Sequence, residues 1–172
     1  MIQLSNPLTD KYLSLKNIIL NDHGFPWHFL ARSTPSTDKE GYINPSVYQH
    51  TFLDRPGPWS RVGSPLIEVV TEVITEIMEH NSIIPEVIYR ICANAVHPQQ
   101  NTYQNTVPHY DHKFPHKNLL IYLSDSYGGA TVCENNSFLG KEDDIITFEG
   151  EHYHGMPQNG RRIVLVSTYL TL

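Results

Sequence analysis

Leu8, Tyr12, Leu15, Ile18 and Ile19 recur at helical spacing, and Asn21-Asp22-His23-Gly24 closes the run, so the pattern predicts a helix over residues 8–20. PWHFLA at 26–31 and VYQHTF at 47–52 read as strands. Between them the Pro, Ser, Thr and Gly of RSTPSTDKEGYINPS mark an exposed loop over 32–46, a candidate for shaping a substrate mouth. A second helix is predicted from Ser64-Pro65, a hydroxyl N-cap followed by proline, through LIEVVTEVITEIMEH to Asn81. Val69, Val70, Val73, Ile77 and Met78 form its apolar stripe, and Glu68, Glu72, Glu76 and Glu79 form a solvated face. From residue 86 onward the pattern becomes short segments rich in β-branched and aromatic residues: VIYRICA, VPHYDH, NLLIYLS, ATVCEN, DIITFEG and RIVLVSTYL. With the two early strands this makes about eight. A helical layer followed by antiparallel strands predicts a mainly β fold with flanking helices, a double-sheet jelly roll. One domain is expected over 1–172, with helical support over about 1–85 and a β core over about 86–172.

Composition narrows the function. At 172 residues and 40% apolar content the chain builds one sizeable core. Its net charge of −6 argues against a broad nucleic-acid-binding surface. No apolar run approaches the roughly 20 residues that span a bilayer, and the first 25 residues lack a secretory pattern, so a cytoplasmic protein is expected. Cys92 and Cys133 sit in apolar strands and read as buried core residues. Ten histidines are many for this length, and their positions decide whether they carry chemistry.

Pro108-His109-Tyr110-Asp111 puts an imidazole and a carboxylate two residues apart, on one face of an extended strand, where both could bind one ion. LLIYLSD, GGATVCEN, DDIITFEGEHYHG and GRRIVLVSTYL follow in that order. In this order the chain resembles the iron(II)- and 2-oxoglutarate-dependent dioxygenase superfamily, in its prolyl-hydroxylase-like branch. The likeness covers roughly residues 86–170, and more loosely Phe25–Phe29 and Arg90–Asn94.

The resemblance implies a double-stranded β-helix of the cupin-like jelly-roll type. It also implies a 2-His-1-carboxylate triad for Fe(II), formed by His109, Asp111 and a histidine of HYHG. His154 lies six residues after Phe148 and directly before Gly155, which favours it as the third ligand. His152 is the competitor, since it stands ten residues before the candidate arginine rather than eight. Arg162 fits the family's GxRxxL pattern through Gly160, Arg162 and Leu165, so the resemblance implies that it rather than Arg161 anchors 2-oxoglutarate, and strand alternation lets only one of the two point inward. Tyr122 corresponds to a tyrosine that bonds the same carboxylate, and Tyr103, Asn94 and Lys117 are weaker candidates. His112 should face away from the metal, with His116 in a turn beside the site, and both are candidates for lining the substrate mouth. His23, His28, His50, His80 and His97 read as structural or solvated.

The implied reaction consumes 2-oxoglutarate and O2, releases succinate and CO2, and hydroxylates a small-molecule or peptide substrate, with a peptidyl or free amino acid favoured. A cupin-like metal-binding isomerase and a catalytically inactive binding module share the jelly roll and remain alternatives, the isomerase having no need of Arg162. A zinc hydrolase is disfavoured, because no HExxH helix or Glu base accompanies the ligands.

Overall fold

A computed structural model of the chain describes residues 1–35, 39–99 and 104–171. Among them the order is β1 (Ile2–Leu4), α1 (Asp10–Asn21), β2 (His28–Leu30), β3 (Tyr42–Ile43), β4 (Val47–Leu53), α2 (Ile67–His80), β5 (Val87–Val96) and β6 (Asn105–Thr106). Then follow β7 (Lys117–Tyr122), β8 (Thr131–Cys133), β9 (Asn136–Phe138), β10 (Ile145–Phe148), β11 (His152–His154) and β12 (Arg162–Leu170). A seven-stranded antiparallel sheet runs β1-β10-β7-β12-β5-β4-β2, and a three-stranded sheet runs β11-β8-β9. The fold is mainly β with two helices, in the jelly-roll arrangement the strand pattern predicts.

The alternation along β12 explains the layering. Ile163, Leu165 and Tyr169 pack with Tyr12, Leu15 and Ile19 of α1 and with Val70, Val73, Ile74, Ile77 and Met78 of α2. Arg162, Val164 and Val166 point to the opposite side and line an internal cavity. Strand β5 repeats the pattern, with Ile91, Ala93 and Ala95 toward the helices and Arg90, Asn94 and Val96 toward the cavity. Because both faces are covered, eight of the nine residues of β12 are buried. Each of the five buried apolar side chains of α2 is at most 1% exposed, and burying one is worth about 1.5–3 kcal/mol. Strand burial thus fixes where the cavity lies, and helix packing fixes the sheet.

Several local expectations are revised. Helix α1 starts two residues later than the 8–20 run, with Thr9 as N-cap accepting from the Tyr12 N–H and Leu8 outside it. Helix α2 starts later than Ser64-Pro65. Its N-cap is Leu66, while the Ser64 hydroxyl accepts from the Leu66 N–H and bonds His50 Nε2 at 2.9 Å, so Ser64-Pro65 forms a turn before the helix. Val69 lies on the exposed side, and Ile74 takes its place in the stripe. Glu76 is half-buried, bonded to the Thr9 hydroxyl and paired with Lys11. The predicted VPHYDH strand shrinks to a single bridge at His109, since Pro108 has no N–H and Asp111 turns toward the cavity. Strands β1, β9 and the parallel pair β3/β6 lack a clear sequence signal. Both cysteines are free and buried.

Candidate functional site

Backbone register builds the site. His109 and His152 face each other in an antiparallel bridge closed by two hydrogen bonds, His109 N–H to His152 O at 2.9 Å and His152 N–H to His109 O at 3.0 Å. Asp111 lies two residues beyond His109, and His154 two residues beyond His152. In antiparallel pairing these steps run in opposite directions, so Asp111 and His154 flank the imidazole pair on opposite sides.

The three imidazoles nevertheless converge, with one ligand atom of each of His109, His152 and His154 within 4.8 Å of the others. His109 Nδ1 lies 2.9 Å from Val107 O, and His152 Nδ1 lies 3.3 Å from Gly150 O. A carbonyl only accepts, so both Nδ1 atoms carry the proton and both Nε2 lone pairs are free for a metal. His152 Nε2 is 3.6 Å from Asp111 Oδ2. Burial pushes the His152 pKa down to about 4, which keeps the ring neutral at pH 7 and suits it to ligate. His154 is also held well below the ordinary value, by burial and then by the Arg162 charge. Its Nδ1 bonds the Thr131 hydroxyl at 3.0 Å, and Thr131 bonds the Tyr122 hydroxyl at 2.8 Å.

Asp111 is held below the usual carboxylate range. Burial acts to raise it, and the positive charges of His152, Arg90, His109 and Arg55 outweigh that. With His152 neutral at pH 7, the lasting counter-charges are Arg90 Nη1, 3.5 Å from Asp111 Oδ1, and Arg55 Nη2, 4.0 Å away.

At the other end of the cavity Arg162 is 3% exposed, and its Nη1 donates to Gly129 O at 2.9 Å and Gly155 O at 3.0 Å. Its remaining N–H groups have no bond among the described residues. Gly129 permits this cradle, because a Cβ there would lie 2.6 Å from Gly155 O and 3.0 Å from Arg162 Nη1. Arg161 instead is exposed and donates to Leu20 O. Tyr122 is fully buried behind Thr131, with its pKa raised by burial, and Thr131 is the member of that pair that lines the cavity.

The cavity encloses about 240 Å³ and collects His109, Asp111, His152, His154 and Arg162. Asn94 lines it too and accepts from Gln49 Nε2 at 2.8 Å. Lys117 does not, since its Nζ donates to Thr171. Tyr103 lies outside the described residues. His112 and His116 are buried against Phe114 and each other and stay out of this cavity. His50 is structural, bonded to Pro26 O and Ser64 Oγ. Sequence reading missed Arg55, Arg90 and Thr131. Arg90 had a usable signal, being a cation in the otherwise apolar strand VIYRICANAV at the same parity as Asn94.

No family model and no curated protein matches the chain. Solved structures do. An oxidoreductase of the 2OG-Fe(II) oxygenase family from Burkholderia pseudomallei is 13% identical, with a TM-score of 0.61 over 92% of this chain and 76% of that one. A prolyl hydroxylase from Trichoplax adhaerens, in complex with a hypoxia inducible factor oxygen degradation domain peptide fragment, is 9% identical, with a TM-score of 0.61 over 98% and 82%. A non-haem α-ketoglutarate-dependent epimerase from nogalamycin biosynthesis is 12% identical, with a TM-score of 0.59 over 98% and 76%. The chain therefore shares the fold of 2OG-Fe(II) oxygenases, prolyl hydroxylases among them.

Proposed function

We propose that the protein is a non-haem Fe(II)- and 2-oxoglutarate-dependent oxygenase that hydroxylates a free or peptidyl amino acid. One observation supports this most. Two imidazoles whose Nδ1 atoms are held by backbone carbonyls and an ionised carboxylate share a cavity with a buried arginine whose remaining N–H groups are unbonded among the described residues. Two imidazole nitrogens and one anionic oxygen are the donor set of a ferrous facial triad, and Asp111 Oδ2, 3.6 Å from His152 Nε2 though outside the group of three converging imidazoles, supplies the oxygen, so the residues present fit the metal by their chemistry.

In this reading His109 and His152, through Nε2, and Asp111, through Oδ2, hold the ion. His154, which spacing favoured, stands on the Arg162 side of the imidazole pair and helps to form the co-substrate pocket. Bound there, Fe(II) supplies the coupling of O2 reduction and 2-oxoglutarate decarboxylation to C–H hydroxylation, with succinate and CO2 as products. Arg162 receives the far carboxylate of 2-oxoglutarate on its unbonded N–H groups, while the Gly129 and Gly155 carbonyls fix the guanidinium plane. The buried Tyr122–Thr131 hydroxyl pair positions His154 beside it. Leu120, Val164 and Val166 line the wall between and keep water from the reacting centre.

Succinate release from 2-oxoglutarate with Fe(II) and candidate amino acids or peptides tests the assignment. Substrate-stimulated succinate, lost in Arg162→Gln, is expected. A second reading rests on the grouping of three imidazoles within 4.8 Å, which suits a cupin-like metal-binding protein without oxidative turnover. Tight metal binding with no 2-oxoglutarate affinity would favour that reading.

A further inference from the structure

Among the described residues Arg90 is a cation without an adequate partner. It is 6% exposed, its Nε has no hydrogen bond to them, and its one ionic contact with them, to Asp111 Oδ1, is 3.5 Å long. Charge-assisted N–H···O bonds normally close to about 2.7–2.9 Å, so Asp111 leaves this guanidinium mostly unsatisfied. Arg55 lies on the same carboxylate, with Nη2 at 4.0 Å and Nε donating to the Asp111 carbonyl at 3.4 Å. Arg55 is held below its ordinary value by burial first and then by the neighbouring Arg90 charge.

Strand register places this pair opposite the co-substrate anchor. Arg90 pairs with Thr168 and Val96 pairs with Arg162 along β5/β12, six residues or roughly 20 Å apart. One cavity therefore has an arginine at one end and two at the other, with the imidazoles between, and Asp111 is its single carboxylate among the described lining residues. A divalent ion on Asp111 would add positive charge and deepen the deficit of anions near Arg90.

We propose that Arg90 and Arg55 form a carboxylate receptor for the substrate, so that the substrate is a small carboxylic acid, a free amino acid included, rather than an internal residue of a peptide. This rests on the oxygenase reading for the word substrate; the carboxylate site itself rests on Arg90 and Arg55. The cavity's 240 Å³, which must also take 2-oxoglutarate, is below the roughly 300–1,000 Å³ of sites for larger ligands, in keeping with a small occupant. Gln49 and Asn94, already bonded to each other on the same wall, offer neutral polar contacts for the rest of the molecule.

The test uses the full chain loaded with Mn(II) and saturating 2-oxoglutarate, which fills the Arg162 end. Common α-amino acids and short aliphatic acids are titrated beside their neutral amides, with binding read calorimetrically and as melting shifts. At least one acid is expected to bind about tenfold or more tightly than its amide, as a buried charge-assisted contact predicts. Arg90→Gln should abolish that ratio, Arg90→Lys should keep part of it, and Arg55→Gln should lower it. Arg55→Gln alters a side chain that is 43% exposed, so it also serves if the Arg90 variants fail to fold. An Arg90→Gln protein with altered Mn(II) affinity but an intact acid-to-amide ratio would mean that Arg90 only holds Asp111, and would overturn the proposal. Absence of any acid preference in the unaltered protein overturns it as well. Mn(II) and 2-oxoglutarate affinities are measured in the same samples. If both are absent the oxygenase reading fails, while an Arg90-dependent acid preference still stands by itself.

Discussion

The identity of the third metal ligand is open to a direct test, and the structure sets its scale. At a metal–nitrogen bond of about 2.1 Å, two donors of one ion lie at most about 4.2 Å apart. His152 Nε2 and Asp111 Oδ2, at 3.6 Å, already meet that limit without rearrangement. His154 lies within 4.8 Å of the other imidazoles, but on the far side of the His109–His152 bridge from Asp111. Loss of an outer hydrogen-bonding partner of a metal ligand costs about 10–100-fold in affinity, and loss of a ligand should cost more. His152→Ala and Asp111→Ala are therefore each expected to weaken Fe(II) binding by more than about 100-fold in anaerobic calorimetric titration. His154→Ala should stay within about tenfold for the metal and lose 2-oxoglutarate affinity instead. If His154→Ala abolishes metal binding while Asp111→Ala retains it, the ion sits among three histidines and the register argument is refuted.

Three further outcomes follow from the same geometry. Gly129→Ala would drive a Cβ to 2.6 Å from Gly155 O, costing about 1–3 kcal/mol and displacing Arg162; unchanged melting and 2-oxoglutarate affinity would count against the cradle. His152 titrates at about 4 when folded and near 6.5 when unfolded, so the unfolded chain binds more protons between those values and stability rises with pH across that window. Stability lost on this account grows as pH falls from 6.5 to 4, to roughly 3 kcal/mol in all and about 2 kcal/mol by pH 5. Denaturant melts of metal-free protein at pH 5 and 8 should show this loss, and His152→Asn should flatten it. Ile74→Ala in α2, at a position with no exposure, should cost about 2–5 kcal/mol, whereas Val69→Ala, at 38% exposure, should stay within about 0.5 kcal/mol; equal costs would contradict the placement of the stripe.

The readable parts of the sequence were those whose signal is local. Helical spacing of apolar residues located α1 and α2 because the burying face of a helix repeats every 3.6 residues. The HxD pair was legible because an i, i+2 spacing in extended chain puts both side chains on one face. Strand parity predicted that Arg161 and Arg162 face opposite ways, as their burial shows, but which of them points inward came from the GxRxxL pattern of the resemblance. Parity also stood behind Arg90, but a lone cation in a strand has no meaning until its facing neighbours are known. Ser64-Pro65 misled, since a good capping sequence was recruited by His50 from another strand.

The chain by itself determined a mainly β domain with helices on one face, and which residues carry ionisable or ligating groups. Tertiary structure alone decided which of those groups meet. His109 and His152 are 43 residues apart, and only their backbone bridge puts Asp111 on one side of the pair and His154 on the other. The physical reason is that register between distant strands is set by hydrogen bonds and packing summed over the whole sheet, and no local spacing encodes that sum.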